Sequence, residues 1–329
     1  MSRKLLRRTF SRLLLAAPVL PLTGCVIEPP STCGPAGGGT PGQGDQTYRI
    51  ADLSLADGGT PSSSASCQEL CALTYAYVEN GPCSVNVGDG GQPDSVTCRV
   101  YYFCEGRRPE GLVSDGAVPG RVSELGAMFA RMAHLEAASV PAFERLAEEL
   151  AALGAPAHLV RAARRAAAEE VRHAEAMGAL ALRHGAPLPA VVVEPPRPRP
   201  LAALARENAV EGCVRETFGA LLAGWQARTA RDAEVRHTLA RIAPDELRHA
   251  ELSWALDAWA QRHLSAAERE QLLAARAEAL RTLTREVEES TPGEEAVRLA
   301  GLPSREDARA LVRGLAGLVH GMDGRVARA

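Results

Sequence analysis

Between about residues 120 and 263, apolar side chains recur at the three-and-four spacing of amphipathic helices, but acids interrupt the apolar stripe. Around Glu170 the same-face positions are Ala163, Ala166, Ala167, Ala174 and Met177; around Glu246 they are Leu239, Ile242, Ala243 and Ala250; around Glu136 they are Phe129, Met132, Ala133, Val140 and Phe143. Three carboxylates therefore point where a core should form. A buried, unpaired carboxylate costs several kcal/mol or protonates, so these positions call for cations. Glu211 has a more mixed face, with Glu207, Asn208 and Arg215 beside Leu204, Val214 and Phe218.

The pattern predicts helices from near Pro119-Gly120 to Leu153, from about Pro156 to His184, from 201 to 227 and from 230 to 263, with Thr229 as N-cap of the last. Pro141 lies inside the first, where it should kink the helix. Pro244 either kinks the fourth or begins a new helix there. Ser265-Ala266-Ala267-Glu268 is a capping box opening a fifth helix to about Glu289, and a sixth runs from about Ser304 to His320 and stops at Gly321. The proline-rich run from Gly185 to Pro200 is longer than a tight turn needs. As polyproline-type chain it reaches about 46 Å, enough for the climb of roughly 35 Å that a long crossover requires.

The four central helices form a sequence repeat. Glu170-Val171-Arg172-His173 is echoed 76 residues later by Glu246-Leu247-Arg248-His249, and Glu136 and Glu211 precede the two motifs by 34 and 35 residues. Glu and His three apart on a helix share a face and can reach one ion. Glu136 and Glu170 are equidistant from Leu153, beside the Gly154-Ala155-Pro156 break, each about 26 Å from the turn at 1.5 Å per residue, so they face each other. Phe143 and Phe218 repeat seven residues after the lone acids and would restrict water. A third tetrad, Glu234 to His237, lies about 18 Å from the level of the others and has no counterpart in the first hairpin, so it reads as a solvated face. His134 and the free thiol of Cys213 read as ordinary residues without a site role. Glu207 and Glu216 are candidate extra ligands, although α-helical geometry rotates Glu216 about 140° from Glu211.

In this motif set the chain resembles the ferritin-like superfamily of di-iron and di-manganese carboxylate proteins, over roughly residues 120–263. The resemblance implies a four-helix bundle with one Glu from each of two helices and a Glu-x-x-His from each of the other two. It implies metal ligands Glu136, Glu170, His173, Glu211, Glu246 and His249, and two Fe ions or, alternatively, Mn. Four carboxylates and two imidazoles without thiolate suit those metals better than structural zinc. No catalytic residue is implied beyond the ligands. Glu175, Glu251, Arg172 and Arg248 are candidate proton sources beside the ligands, but read first as surface salt-bridge residues. No tyrosine lies in the bundle, which argues against a tyrosyl-radical generator, and Val214 stands where rubrerythrin-like proteins carry a further Glu.

Outside the repeat, Arg3, Lys4, Arg7, Arg8 and Arg12 precede an apolar run, Leu13 to Leu22, too short to span a membrane as a mature helix. Leu22-Thr23-Gly24-Cys25 resembles a bacterial lipobox, implying lipidation of Cys25 and export to the envelope on a membrane anchor. Arg7-Arg8-Thr9-Phe10 fits a twin-arginine signal or an ordinary basic leader. Cys67, Cys71, Cys83, Cys98 and Cys104, together with all five tyrosines, mark a small domain. Exported cysteines without a Cys-x-x-Cys pair read as disulfides, with Cys33 as the candidate sixth partner. Ser66 caps a short helix there, and residues 96–104 read as a strand.

The expected organisation is thus a signal peptide (1–24), a lipidated tether (25–47), a small Cys-rich domain (48–115), a ferritin-like bundle (118–263) and C-terminal helices packed on it (264–329). The 329 residues are 46% apolar, as in a globular protein, and the net charge of −3 gives no reason to expect nucleic acid. The expected function is that of an exported di-metal oxidoreductase acting on Fe(II), peroxide or dioxygen with an electron donor. The competing reading is a non-catalytic envelope scaffold whose disulfide domain binds a partner.

Overall fold

The computed structural model describes residues 3–16, 43–52, 61–62, 65–71, 83–88, 92–101, 107, 109, 111–112, 122–195, 199–290 and 292–326. The fold is mainly helical, with one small sheet near the N-terminus. Cys25, Cys33 and Cys104 lie outside the described residues.

Helix α1 (Arg3–Ala16) precedes β1 (Gln43–Arg49), helix α2 (Cys67–Cys71), β2 (Cys83–Val87) and β3 (Pro93–Tyr101). The three strands form an antiparallel sheet in the order β1-β3-β2, with Cys83 opposite Cys98. Disulfides Cys67–Cys83 and Cys71–Cys98 tie α2 to β2 and β3. Leu70, Cys71, Val96 and Cys98 form a core of their own, small enough to depend on these cross-links. Ser66 caps α2 as expected: its hydroxyl accepts from the Glu69 N–H at 3.3 Å while the Glu69 carboxylate takes the Ser66 N–H at 2.7 Å.

The long helices follow: α3 (Glu124–Ala152), α4 (Ala157–Arg183), α5 (Leu201–Glu207), a π-helical segment (Asn208–Glu216), α6 (Thr217–Thr229), α7 (Ala233–Ala260), α8 (Ala266–Glu289), the short α9 (Glu294–Arg298) and α10 (Arg305–Val326). Helices α3 and α4 pack most extensively, α6 pairs with α7, and α4 meets α7. Gly154, at φ +70°, makes the turn between α3 and α4, a left-handed conformation that glycine adopts without penalty. Pro141 and Pro244 both sit inside helices that continue through them, so no new helix starts at 244. Helix α8 opens with the expected capping box.

Two boundaries differ from the sequence reading. The N-cap of α7 is Asp232, which accepts from the N–H groups of Glu234 and Val235, whereas the Thr229 hydroxyl donates back to the Trp225 carbonyl and so ends α6. An aspartate that accepts from two open amides is a stronger cap than a threonine hydroxyl. Helix α10 runs past Gly321 to Val326, because Leu318, Val319 and Met322 continue its buried face and outweigh one glycine.

Packing places the polar residues. One core joins Leu125 to Ala133 of α3, Met177 to Ala181 of α4 and Val235 to Ile242 of α7. A second joins Phe143 to Leu150 of α3, Leu159 to Ala167 of α4 and Leu252 to Ala260 of α7. Glu136, Glu170, His173, Glu246 and His249 fall between the two on their helices, forming a polar layer between apolar ones. A third core packs α1, α6, α8 and α10 with the π-helical segment. There Gly212 lets the segment approach α7: a Cβ would lie 2.6 Å from the Ser253 hydroxyl. Residues 111–112 meet the proline-rich crossover through a Leu112–Val193 bridge.

Residues 3–16, at the head of the expected leader, dock on this body. Leu6 and Phe10 are buried, and Arg7 Nε donates to Glu251 Oε1 at 2.6 Å. Glu251 is therefore a buried acid and not a surface one. No helix among the described residues is long and apolar enough to cross a membrane.

Candidate metal centre

Helices α3, α4 and α7 bring Glu136, Glu170, His173 and Glu246 together with one donor atom from each within 4.8 Å of the others. His249 adjoins them. Its ring centroid is 5.8 Å from that of His173, and its Nδ1 lies 3.0 Å from Glu170 Oε1 and 3.6 Å from Glu246 Oε1. His173 Nδ1 lies 3.0 Å from Glu246 Oε1, 3.6 Å from Glu170 Oε2 and 3.8 Å from Glu136 Oε2. Glu170 and His249 are 1% exposed, so water cannot solvate them.

The geometry of these close approaches is not that of hydrogen bonds. Both Nδ1 atoms, Glu170 Oε2 and Glu246 Oε1 are enclosed without a hydrogen-bond partner among the described residues. Nitrogen lone pairs and carboxylate oxygens that converge without aligning on each other resemble ligands arranged around a common ion. The other nitrogen of each imidazole is engaged. His249 Nε2 is 3.0 Å from Glu169 Oε2, and His173 Nε2 is 3.3 Å from Asp245 Oδ2. An outer carboxylate on Nε2 fixes the ring and leaves Nδ1 for a metal. The residues thus fit a cation-binding site of carboxylate and imidazole donors.

Sequence reading missed Glu169 and Asp245, although a signal was present: each is the acid immediately before a motif glutamate. The duplication places each on its own helix but under the histidine of the other. Arg248 donates to Glu169 at 2.7 Å and also pairs with Asp245, and Arg172 Nη2 lies 3.4 Å from Asp245. Arg172 and Arg248 are thus salt-bridge residues, as expected, and they compensate the outer acids only.

Without a cation, the inner charges compensate one another. Burial and then the Glu170 carboxylate push the Glu136 carboxyl well up. Burial works against ionised Glu170, but Glu136, His173 and His249 hold it below the usual range. Burial also opposes the charged imidazoles, yet surrounding carboxylates raise both His173 and His249. Glu169 is likewise opposed by burial and held down at about 2 by His249 and Arg248.

The remaining sequence candidates are distributed around this layer. Phe143 packs on His249 with centroids 5.1 Å apart and is fully enclosed, so it restricts water. Phe218 is also buried, in the third core. Glu211, on the π-helical segment, is half-buried and raises Arg215, which pairs with Glu286; it is not one of the four residues in the tight group. Glu207 is neutralised by Arg107 and Arg199. Glu216 is 1% exposed, and burial pushes its carboxyl up to about 8. Glu234 is exposed and binds Arg183, and His237 is exposed, in keeping with a solvated face. His134 and the free thiol of Cys213 are buried, the thiol raised by desolvation.

Comparison with known protein families, curated proteins and solved structures finds no match.

Proposed function

We propose that the chain is a ferritin-like di-metal carboxylate protein, an oxidoreductase acting on iron, peroxide or dioxygen at the cell envelope. The observation that carries this reading is the inner layer itself. Acids from three helices converge on imidazole nitrogens, and among the described residues no guanidinium or ammonium pairs with these inner acids. Glu136, Glu170, His173, Glu246 and His249 would hold the metal, with Glu211 from the π-helical segment. Bound iron or manganese would supply redox chemistry and electrophilic stabilisation that no side chain here can provide.

The protein's own contribution is binding, orientation and water exclusion. Asp245 and Glu169 fix the imidazoles, Phe143 covers His249, and the apolar cores above and below keep the layer dry. The leader, the lipid anchor on Cys25 and the envelope location belong to this proposal on sequence grounds alone, as do small-molecule substrates and a separate electron donor.

The test is anaerobic loading with Fe(II), followed by mixing with oxygen or peroxide. Iron oxidation faster than in protein-free buffer, with a new absorption band and loss of both in Glu170→Ala, is the expected result. Oxidation at the buffer rate would favour the non-catalytic scaffold.

A further inference from the structure

Glu216 closes the π-helical segment, and neither of its carboxylate oxygens has a hydrogen-bond partner among the described residues. A carboxyl group enclosed to 1% exposure with nothing to accept from or donate to is unfavourable in either protonation state. The charges acting most strongly on it are Arg107 and His249, which favour ionisation, and Glu170 and Glu246, which oppose it. Three of these four belong to the metal centre. The fourth, Arg107, is fully buried and already donates to Glu207 at 3.2 Å and Asn208 at 3.3 Å.

Glu216 lies on the π-helical segment that packs against α7, the helix of Glu246 and His249, and the local backbone changes the direction it can take. In an α-helix a residue five positions after Glu211 is rotated by about 140° and would point elsewhere. The widened i→i+5 repeat of a π-helix brings residues five apart back towards one face, and such segments recur at functional sites. The segment spans Asn208–Glu216 and so includes both acids. Gly212, between them, permits the close approach to α7 that the widened turn needs.

We infer that Glu216 is a further metal ligand, so that the π-helical segment delivers two carboxylates, Glu211 and Glu216, to the centre. Its ligand class is a divalent cation that prefers oxygen and imidazole donors, iron or manganese. The inference rests on the metal-centre reading above and deepens it by adding a donor that the repeat does not contain.

The test uses Co(II) as probe on the full chain stripped of metal, read by calorimetric titration and visible absorption. Wild type, Glu216→Gln and the apolar Glu216→Met are compared, with exposed Glu175→Gln as control. The expected result is two Co(II) per wild-type chain, with affinity for at least one lowered about tenfold or more and an altered spectrum in both Glu216 variants. The metal-free Glu216→Met protein should melt higher than metal-free wild type, because an unpartnered buried polar group has gone. Wild-type affinity and spectrum in a folded Glu216 variant would overturn this inference and leave the metal centre standing. No Co(II) binding by wild type would overturn the metal centre itself.

Discussion

Two buried polar clusters in this molecule solve the same problem in opposite ways. Near the C-terminus, Arg276 is fully enclosed between Asp257 and Asp323 and stacks on Trp254 at 5.0 Å, while Arg215 holds Glu286 at 2.9 Å with both side chains 2% exposed. Each acid there has a guanidinium. In the inner layer, among the described residues, Glu136, Glu170 and Glu246 are approached by two imidazoles, and the arginines pair with the outer acids Glu169 and Asp245. Burial alone does not mark a site; burial without a resident side-chain cation does.

Removing cations from the arginine-paired cluster should have the largest effect. Arg215→Ala leaves Glu286 buried and unpaired and should cost about 3–5 kcal/mol in urea unfolding, with or without metal. A cost below about 1 kcal/mol would show that Glu286 is not paired as described. Metal should act on the other cluster alone. At a concentration a hundred times the dissociation constant it should stabilise wild type by about 2.7 kcal/mol and leave Glu170→Ala unmoved in the same unfolding experiment. Equal stabilisation of both proteins would place the binding elsewhere.

The outer acids sharpen the contrast. Asp245→Asn and Glu169→Gln remove the charge on Nε2 of His173 and His249, and each should weaken metal binding by about 10–100-fold while the fold survives. Titration of each variant checks this, and unchanged affinity would mean the rings are oriented by packing alone. The smallest effect is local. Ser265→Ala removes the cap of α8, should cost about 1 kcal/mol, and should not change metal binding at all.

The helical hairpins and the grouping of Glu136, Glu170, His173 and Glu246 were legible because helical periodicity places side chains on faces without any knowledge of tertiary contacts. The registers of Glu136 with Glu170 and of Glu246 with His249 needed only the rise per residue. The direction taken by Glu216 was not legible, because a rotation of about 140° assumes α-helical pitch, whereas Asn208–Glu216 is π-helical and packs against α7 and α8. Thr229 and Asp232 are both good caps, and the choice between them depends on where α6 lets go, at a hydroxyl that also donates to Gly301. Glu251 looked like a surface acid because its partner, Arg7, lies 244 residues away on a helix that sequence reads as a leader. In the small domain, spacing marked the cysteines but not their pairing, since Cys67–Cys83 and Cys71–Cys98 follow from the order of strands in the sheet.

The most direct test is metal content. Protein purified without chelator and measured by elemental analysis should carry about two iron or manganese ions per chain, and Glu170→Ala, equally folded by circular dichroism, should carry none. Wild-type protein that stays metal-free after loading with Fe(II) and Mn(II), with an unchanged melting temperature, would contradict the account.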